Sequence, residues 1–225
     1  MKQPSIPAGE RLGFFEELKL QRWDDHRYYH HSRINQSLHL LSATCFLTTY
    51  AMLLINPSAA ALLGWIVAMT SRQIGHFFFE PKTYDKVNEA THEHKENIKV
   101  GYNLFRKRIL QSAWALTPVV LWINPTFFGA FTPHTNLDQF LVNLGMMWLW
   151  LAILALAART VHLFFIYNVQ TGLVWATKIL TDPFHDFKIY LKSPLYLLRG
   201  ELIDPMLYVR EGVESDADDD EPAIA

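Results

Sequence analysis

Four stretches of this chain, 34–55, 59–79, 109–131 and 140–166, are each long and apolar enough to cross the hydrocarbon core of a bilayer. A spanning helix needs about 20 apolar residues. Inside lipid a segment must satisfy its own backbone N–H and C=O groups, and a single run of this length does so only as an α-helix. The 144–158 stretch carries no charge at all. The first two stretches contain His39, Arg72 and His76, which lowers their mean hydropathy. The expectation is an all-α integral membrane bundle of about four transmembrane helices, flanked by interfacial amphipathic helices. A soluble bundle with buried helices is the bland alternative.

Charge orients the bundle. Residues 1–33 carry Lys2, Arg11, Lys19, Arg22, Arg27 and Arg33, and 81–108 carries seven more Lys and Arg. The connections 56–60 and 124–139 carry none. The positive-inside rule then places both termini and the central loop in the cytoplasm, as in a bacterial inner membrane or the endoplasmic reticulum. Pro57, Pro125 and Pro133 mark the outer connections, and Pro118 should kink the third span. The organisation reads as an N-terminal amphipathic segment (1–33), a first hairpin (34–80), a cytoplasmic His/Glu/Lys-rich loop (81–108), a second hairpin (109–170), interfacial helices (171–210) and an acidic disordered tail (211–225). Residues 12–23 and 186–198 have the mixed apolar, charged and aromatic pattern of interfacial helices, with Trp23, Tyr190 and Tyr196 as headgroup anchors.

Several function classes drop out. The polar first 33 residues do not read as a cleavable signal peptide. The single Cys45 forms no intrachain disulfide and no CxxC signature. A net charge of −2 offers no nucleic-acid footprint. Walker, GxGxxG and GxSxG motifs are absent.

Histidine carries the chemistry. Nine of the ten fall on the inferred cytoplasmic side, and only His134 lies outside. Asn35 and His39 are four apart and share a helical face, as do Arg72, His76 and Glu80. Ionisable groups in a span are costly unless they face a bundle interior, so two such stripes invite a shared pocket. His30, His39, His76 and Glu80 would make an N/O ligand set suited to Fe(II) with open positions. Simple hydrogen bonding between helices is the alternative. Arg72 reads either as a bidentate clamp for an acyl carboxylate or as a structural ion pair with Glu80 or another acid. Glu89, His92, Glu93 and His94 add ligand types, and Glu89-x-x-His92 has di-iron spacing in a single copy. A solvated helix explains them as well. Arg159 reads as snorkelling, His162 as a possible pocket residue, and Asp182-Pro183 as a helix end, with His185 and Asp186 able to close the site from below.

The pattern Tyr29-His30-x4-Asn35-x3-His39, an apolar hairpin, then Ile74-Gly75-His76-x-Phe78-Phe79-Glu80 resembles the Mpo1-like family over residues 28–82. The resemblance implies a small multi-span protein acting as an iron(II)-dependent 2-hydroxy fatty acid dioxygenase, which shortens its substrate by one carbon. It implies His30, His39 and His76 as iron ligands or essential residues, with Glu80 close by. This chain departs by having Arg72 where the family has Gln, and by running from Pro81-Lys82 into the His92/His94 segment instead of a basic stretch ending in Pro-Ala.

The expected function is therefore a membrane-embedded oxygenase with non-haem Fe(II), using oxygen on a fatty-acyl substrate, with the bilayer as its other partner. Candidate metal ligands are His30, His39, His76, Glu80, His92 and His94; candidate catalytic residues are Arg72 and Asn35. The rivals are a di-iron hydroxylase or desaturase-like enzyme that also uses His92/His94, a haem carrier with paired axial histidines such as His39 and His162, and a non-enzymatic membrane module.

Overall fold

The computed structural model describes residues 12–80, 83–85 and 88–205. The expected acidic tail and parts of the 1–33 and 81–108 segments lie outside these. Among the described residues the chain is all-helical, with no strand and only two isolated bridges, Ser32 to Ile203 and Asp85 to Ala90.

Helix α1 (Phe14–Tyr29) leads through a two-sided cap into α2 (Arg33–Met52). A turn at 53–56 returns the chain along α3 (Pro57–Leu63), a π-helical segment π1 (Gly64–Met69), α4 (Thr70–Ile74) and a second π segment π2 (Gly75–Phe79). The junction residues Gly64, Thr70 and Gly75 are all in the right-handed helical region, so 57–79 runs as one rod. The short α5 (His92–Ile98) precedes α6 (Leu104–Ile123), α7 (Leu137–Ile166), α8 (Val169–Tyr190) and α9 (Ser193–Leu198). Polar side chains start most of these helices: Ser32, Asn56, Thr91, Asn103, Asn136 and Asn168 each accept from a backbone N–H of the first turn.

The α2/57–79 hairpin packs against α7 and α8, and α1 lies along α8. Small residues permit the close approaches. A Cβ on Gly145 would fall 2.4 Å from the Ser58 carbonyl oxygen, so α3 and α7 meet nearly backbone to backbone. Further along, Trp65, Trp114 and Trp148 stack with centroids 5.4–5.5 Å apart beside buried Leu121 and Leu144. Pro118 lies inside α6, which continues through it. Proline at this position cannot donate to the carbonyl four residues back. That carbonyl, of Trp114, accepts instead from the Trp148 indole N–H at 3.2 Å, and the Trp65 indole donates to the Trp148 carbonyl at 2.9 Å.

Among the described residues one helix, α7, is long and apolar enough by itself to span a membrane, where the sequence led us to expect four. The other three candidates are compromised in identifiable ways. α2 opens with Arg33, Asn35, Gln36 and His39; the 57–79 rod is divided by π turns; α6 opens with Arg106, Lys107 and Arg108. Two other expectations change. Pro183 does not end a helix but sits inside α8, and Trp23 and Tyr190 are buried (each 1 % exposed) instead of facing headgroups. The burial of Trp23 and Tyr190 follows from α1 and α8 packing on each other, which turns their aromatic faces inward.

Candidate metal centre

His30 ends α1 as its C-cap, with φ −118° and ψ 39°. The orphan carbonyls at that helix end are taken by amides from the next helix. Asn35 Nδ2 donates to the Tyr29 carbonyl at 2.8 Å, and Gln36 Nε2 donates to the His30 carbonyl at 2.8 Å and to Asp204 Oδ2 at 2.9 Å. Ser193 in turn donates to Gln36 Oε1 at 2.7 Å. This tie fixes where His30 leaves the backbone. It also gives Asn35 a defined job at the junction.

His39 and His76 come together because Gly75 has no side chain. A Cβ there would sit 2.1 Å from Asn35 Oδ1 and 3.5 Å from the His39 ring. The π turn that begins at Gly75 sets the direction of His76; π turns recur at functional sites.

The three imidazoles converge. Their nearest ligand atoms all lie within 4.8 Å of one another, and ring centroids are 4.1 Å apart for His30–His39, 4.9 Å for His39–His76 and 5.4 Å for His30–His76. Each ring uses Nδ1 on an outer partner. His39 Nδ1 lies 3.3 Å from Asp186 Oδ2, His76 Nδ1 2.8 Å from Glu80 Oε2, and His30 Nδ1 2.8 Å from the Tyr190 hydroxyl. The Nε2 atoms of His30 and His39 are buried with no hydrogen-bond partner. A buried imidazole nitrogen left unsatisfied is costly. Neutral rings held by Nδ1 with Nε2 aimed at a common region are the standard dress of metal-ligating histidine.

Around this triad α8 supplies a stripe that the sequence reading did not pick out. Lys178, Asp182, Asp186 and Tyr190 recur every four residues, all buried on one face. That spacing was the available signal, obscured by reading Asp182-Pro183 as a helix end. Arg72 reaches this stripe, with NH1 3.2 Å from Asp186 Oδ2 and NH2 3.8 Å from Asp182 Oδ2. Its guanidinium is thus engaged by α8 acids and not by Glu80. Burial alone would raise the Asp186 carboxyl; Arg72 and the His39 hydrogen bond outweigh it and hold Asp186 below its usual range. Lys178 contacts Asp25 and lies 3.0 Å from Asp182. Burial would depress it, yet Asp182 and Asp25 keep it above its ordinary value. Arg22 donates to Asp182 at 3.2 Å and to Thr181 at 2.6 Å, which fastens α1 to α8.

Of the six sequence-proposed ligands, the structure brings together His30, His39 and His76. Glu80 is adjacent but turned onto His76 Nδ1, with its other oxygen 3.7 Å from Lys99 Nζ. His92 and His94 fall outside the converging group, because α5 turns Lys95 inward against Asp85 (3.7 Å) and leaves Glu93 and His94 exposed. His162 is exposed and bonds Arg159 at 2.8 Å, and Arg159 does not snorkel but is buried, donating to the Val100 and Gly101 carbonyls.

A cavity of about 10 Å³, room for one water, lies beside His30 and is lined by Arg22, His26, Arg72, His185 and Tyr190 among others. Such a set of three converging histidines can hold one divalent transition metal with positions left open for other ligands. No family model, curated protein or solved structure matches the chain.

Proposed function

We propose that this protein is a multi-span membrane oxygenase whose His30, His39 and His76 bind non-haem Fe(II), and that its substrate is a fatty acid, in particular a 2-hydroxy fatty acid as the family resemblance implies. One observation carries the reading: three rings share a focus, two of them buried with orphaned Nε2 atoms, and each is oriented through Nδ1 by a separate partner. The residues fit the metal, since neutral imidazole nitrogens suit Fe(II), and hard, oxygen-seeking cations such as Mg²⁺ or Ca²⁺ would find no oxygen donor in the triad. When bound, the iron would supply oxygen activation and a template for the substrate's carboxylate and hydroxyl.

The chain's own residues do the rest. Asp186 and Glu80 hold His39 and His76 with Nδ1 protonated, and Arg72 keeps Asp186 ionised and in place. The burial of His30 and His39 keeps bulk water from their side of the reacting region.

Membrane placement rests on surface chemistry. Only 22 % of the most apolar stretch of α7 is buried, far less than a soluble core helix would show. Its exposed Val142, Trp150, Ile153, Leu154 and Phe165 join Leu116, Val119, Trp122 and Ile123 of α6 in an apolar surface too extensive for water. The α2/57–79 and α6/α7 hairpins supply the four spans, with α1, α5 and α8 at the histidine end.

The test is to purify the full chain from membranes in detergent, measure bound metal, and supply Fe(II), oxygen and a 2-hydroxy fatty acid. The expected products are one metal per chain and a fatty acid one carbon shorter, both lost in His39→Ala. A chain that takes up no Fe(II), Co(II) or Zn(II) refutes the metal reading; one that binds iron but leaves the acid unchanged refutes the substrate.

A further inference from the structure

Tyr190 stands between two histidines of different standing. Its hydroxyl is 2.8 Å from Nδ1 of His30, a member of the triad, and 2.9 Å from Nδ1 of His26, which is not. All three side chains are buried: Tyr190 is 1 % exposed, His30 3 % and His26 7 %. A hydroxyl has one hydrogen and two lone pairs, so Tyr190 donates in at most one of these two bonds and accepts in the other or in both. The two directions of the chain are chemically distinct. If Tyr190 donates to His30, the His30 proton sits on Nε2 and blocks the face turned to the triad. If Tyr190 donates to His26, it accepts from His30 Nδ1–H and leaves Nε2 free as a ligand.

We propose that Tyr190 and His26 form a positioning relay that sets the ligand form of His30, and that metal uptake locks the relay in the direction His30 to Tyr190 to His26. The proposal rests on the reading that the triad holds a metal. It makes His26, a residue of α1 with no place in the triad, a reporter of occupancy. Burial pushes His26 down to about 4, so it is neutral at physiological pH and has one nitrogen able to accept. The relay also ties α1 to the last turn of α8 through the site, so occupancy and docking of α1 are linked by mass action.

The experiment uses the full chain in detergent micelles with Zn(II) or Co(II) alone as probe. In wild type, ¹⁵N spectra of histidine-labelled protein should show His26 as the Nε2–H tautomer once Zn(II) is added, with His30 as the Nδ1–H tautomer. Tyr190→Phe keeps the ring and its packing but removes the hydroxyl, and should weaken Co(II) binding by about 10–100-fold in a chelator competition, the range typical of a lost outer-shell partner. His26→Ala should cost less, because a water from the adjoining cavity can replace the acceptor. A role in packing alone would leave Co(II) affinity and the His26 tautomer unchanged, and either result overturns the relay while leaving the metal site standing. Should Tyr190→Phe fail to fold, the wild-type spectra decide: a His26 tautomer indifferent to Zn(II) overturns the proposal. Wild type that binds neither metal overturns the metal reading and the relay with it.

Discussion

The histidine end and the tryptophan end of this bundle are held by different physics. At one end α1, α2, π2 and α8 meet through directional bonds between buried polar groups, among them His39 to Asp186, Arg72 to Asp186 and Lys178 to Asp182. At the other, Trp65, Trp114 and Trp148 meet through stacking and dispersion, with two indole N–H groups spent on backbone carbonyls. Buried ion pairs contribute little net stability, yet removing one partner is costly because a charge is stranded. The polar end is therefore an arrangement kept for position, and the aromatic end supplies cohesion. The two should respond to mutation along separate axes.

Substitutions can break that separation or sharpen it. The largest effect on metal uptake should come from His39→Ala, which removes a proposed ligand and should exceed the loss of about 100-fold that an outer partner can cost; Co(II) titration followed by absorbance checks it. Asp186→Asn keeps the shape but leaves Arg72 only its more distant acid, Asp182, and loosens the His39 ring, and should weaken Co(II) by about 10–100-fold with helix content intact by circular dichroism. Gly75→Ala should lower stability by about 1–3 kcal/mol, since the new Cβ meets Asn35 Oδ1 and must push α2 from π2. It should also weaken metal binding, because the same displacement parts His39 from His76. Trp148→Phe should cost about 1–3 kcal/mol by leaving the Trp114 carbonyl, already denied a partner by Pro118, without its indole donor. Thermal unfolding in detergent should show that loss while Co(II) affinity stays at the wild-type level. A fall in affinity in Trp148→Phe would mean that the ends are coupled after all.

Much of this was legible in the sequence. Apolar length located α2, the 57–79 rod, α6 and α7 but not the 22-residue α8, and the helical spacing of Asn35/His39 and of His76/Glu80 marked both sides of the site. His30 lies in a cap and on neither helical stripe, so it entered the ligand set by residue type and by the resemblance, not by spacing. Three things were hidden for physical reasons. The outer partners of His39 and His30 come from more than a hundred residues downstream; Asp186 was in view as a residue able to close the site, but its bond to His39 and any role for Tyr190 depend on the tertiary packing that folds α8 back on α1 and α2. Glu80 offers the same oxygen whether it grips a metal or His76 Nδ1, and composition does not tell these apart. The fate of His92 and His94 depended on Lys95, whose burial against Asp85 rotates α5 away.

The π segments have a consequence for how such a chain tolerates change in length. A π turn holds one residue more than the α turn it replaces. Between Gly64 and Phe79 the rod contains two of them, one just before the site and one within it. Deleting a residue from 64–69 would let that turn relax to α geometry and keep a continuous helix, so the fold would survive. The residues on either side would keep their facing, because the N–H that closed the π turn would close an α turn onto the same carbonyl. A deletion on the C-terminal side of Trp65, within 66–69, would therefore leave Trp65 in its stack and His76 on the triad. In a regular α-helix a single-residue deletion rotates one flank about 100° against the other; here the π turn holds a spare residue that absorbs the loss, so that the distance in sequence between the aromatic end and the chemistry can change without turning one against the other.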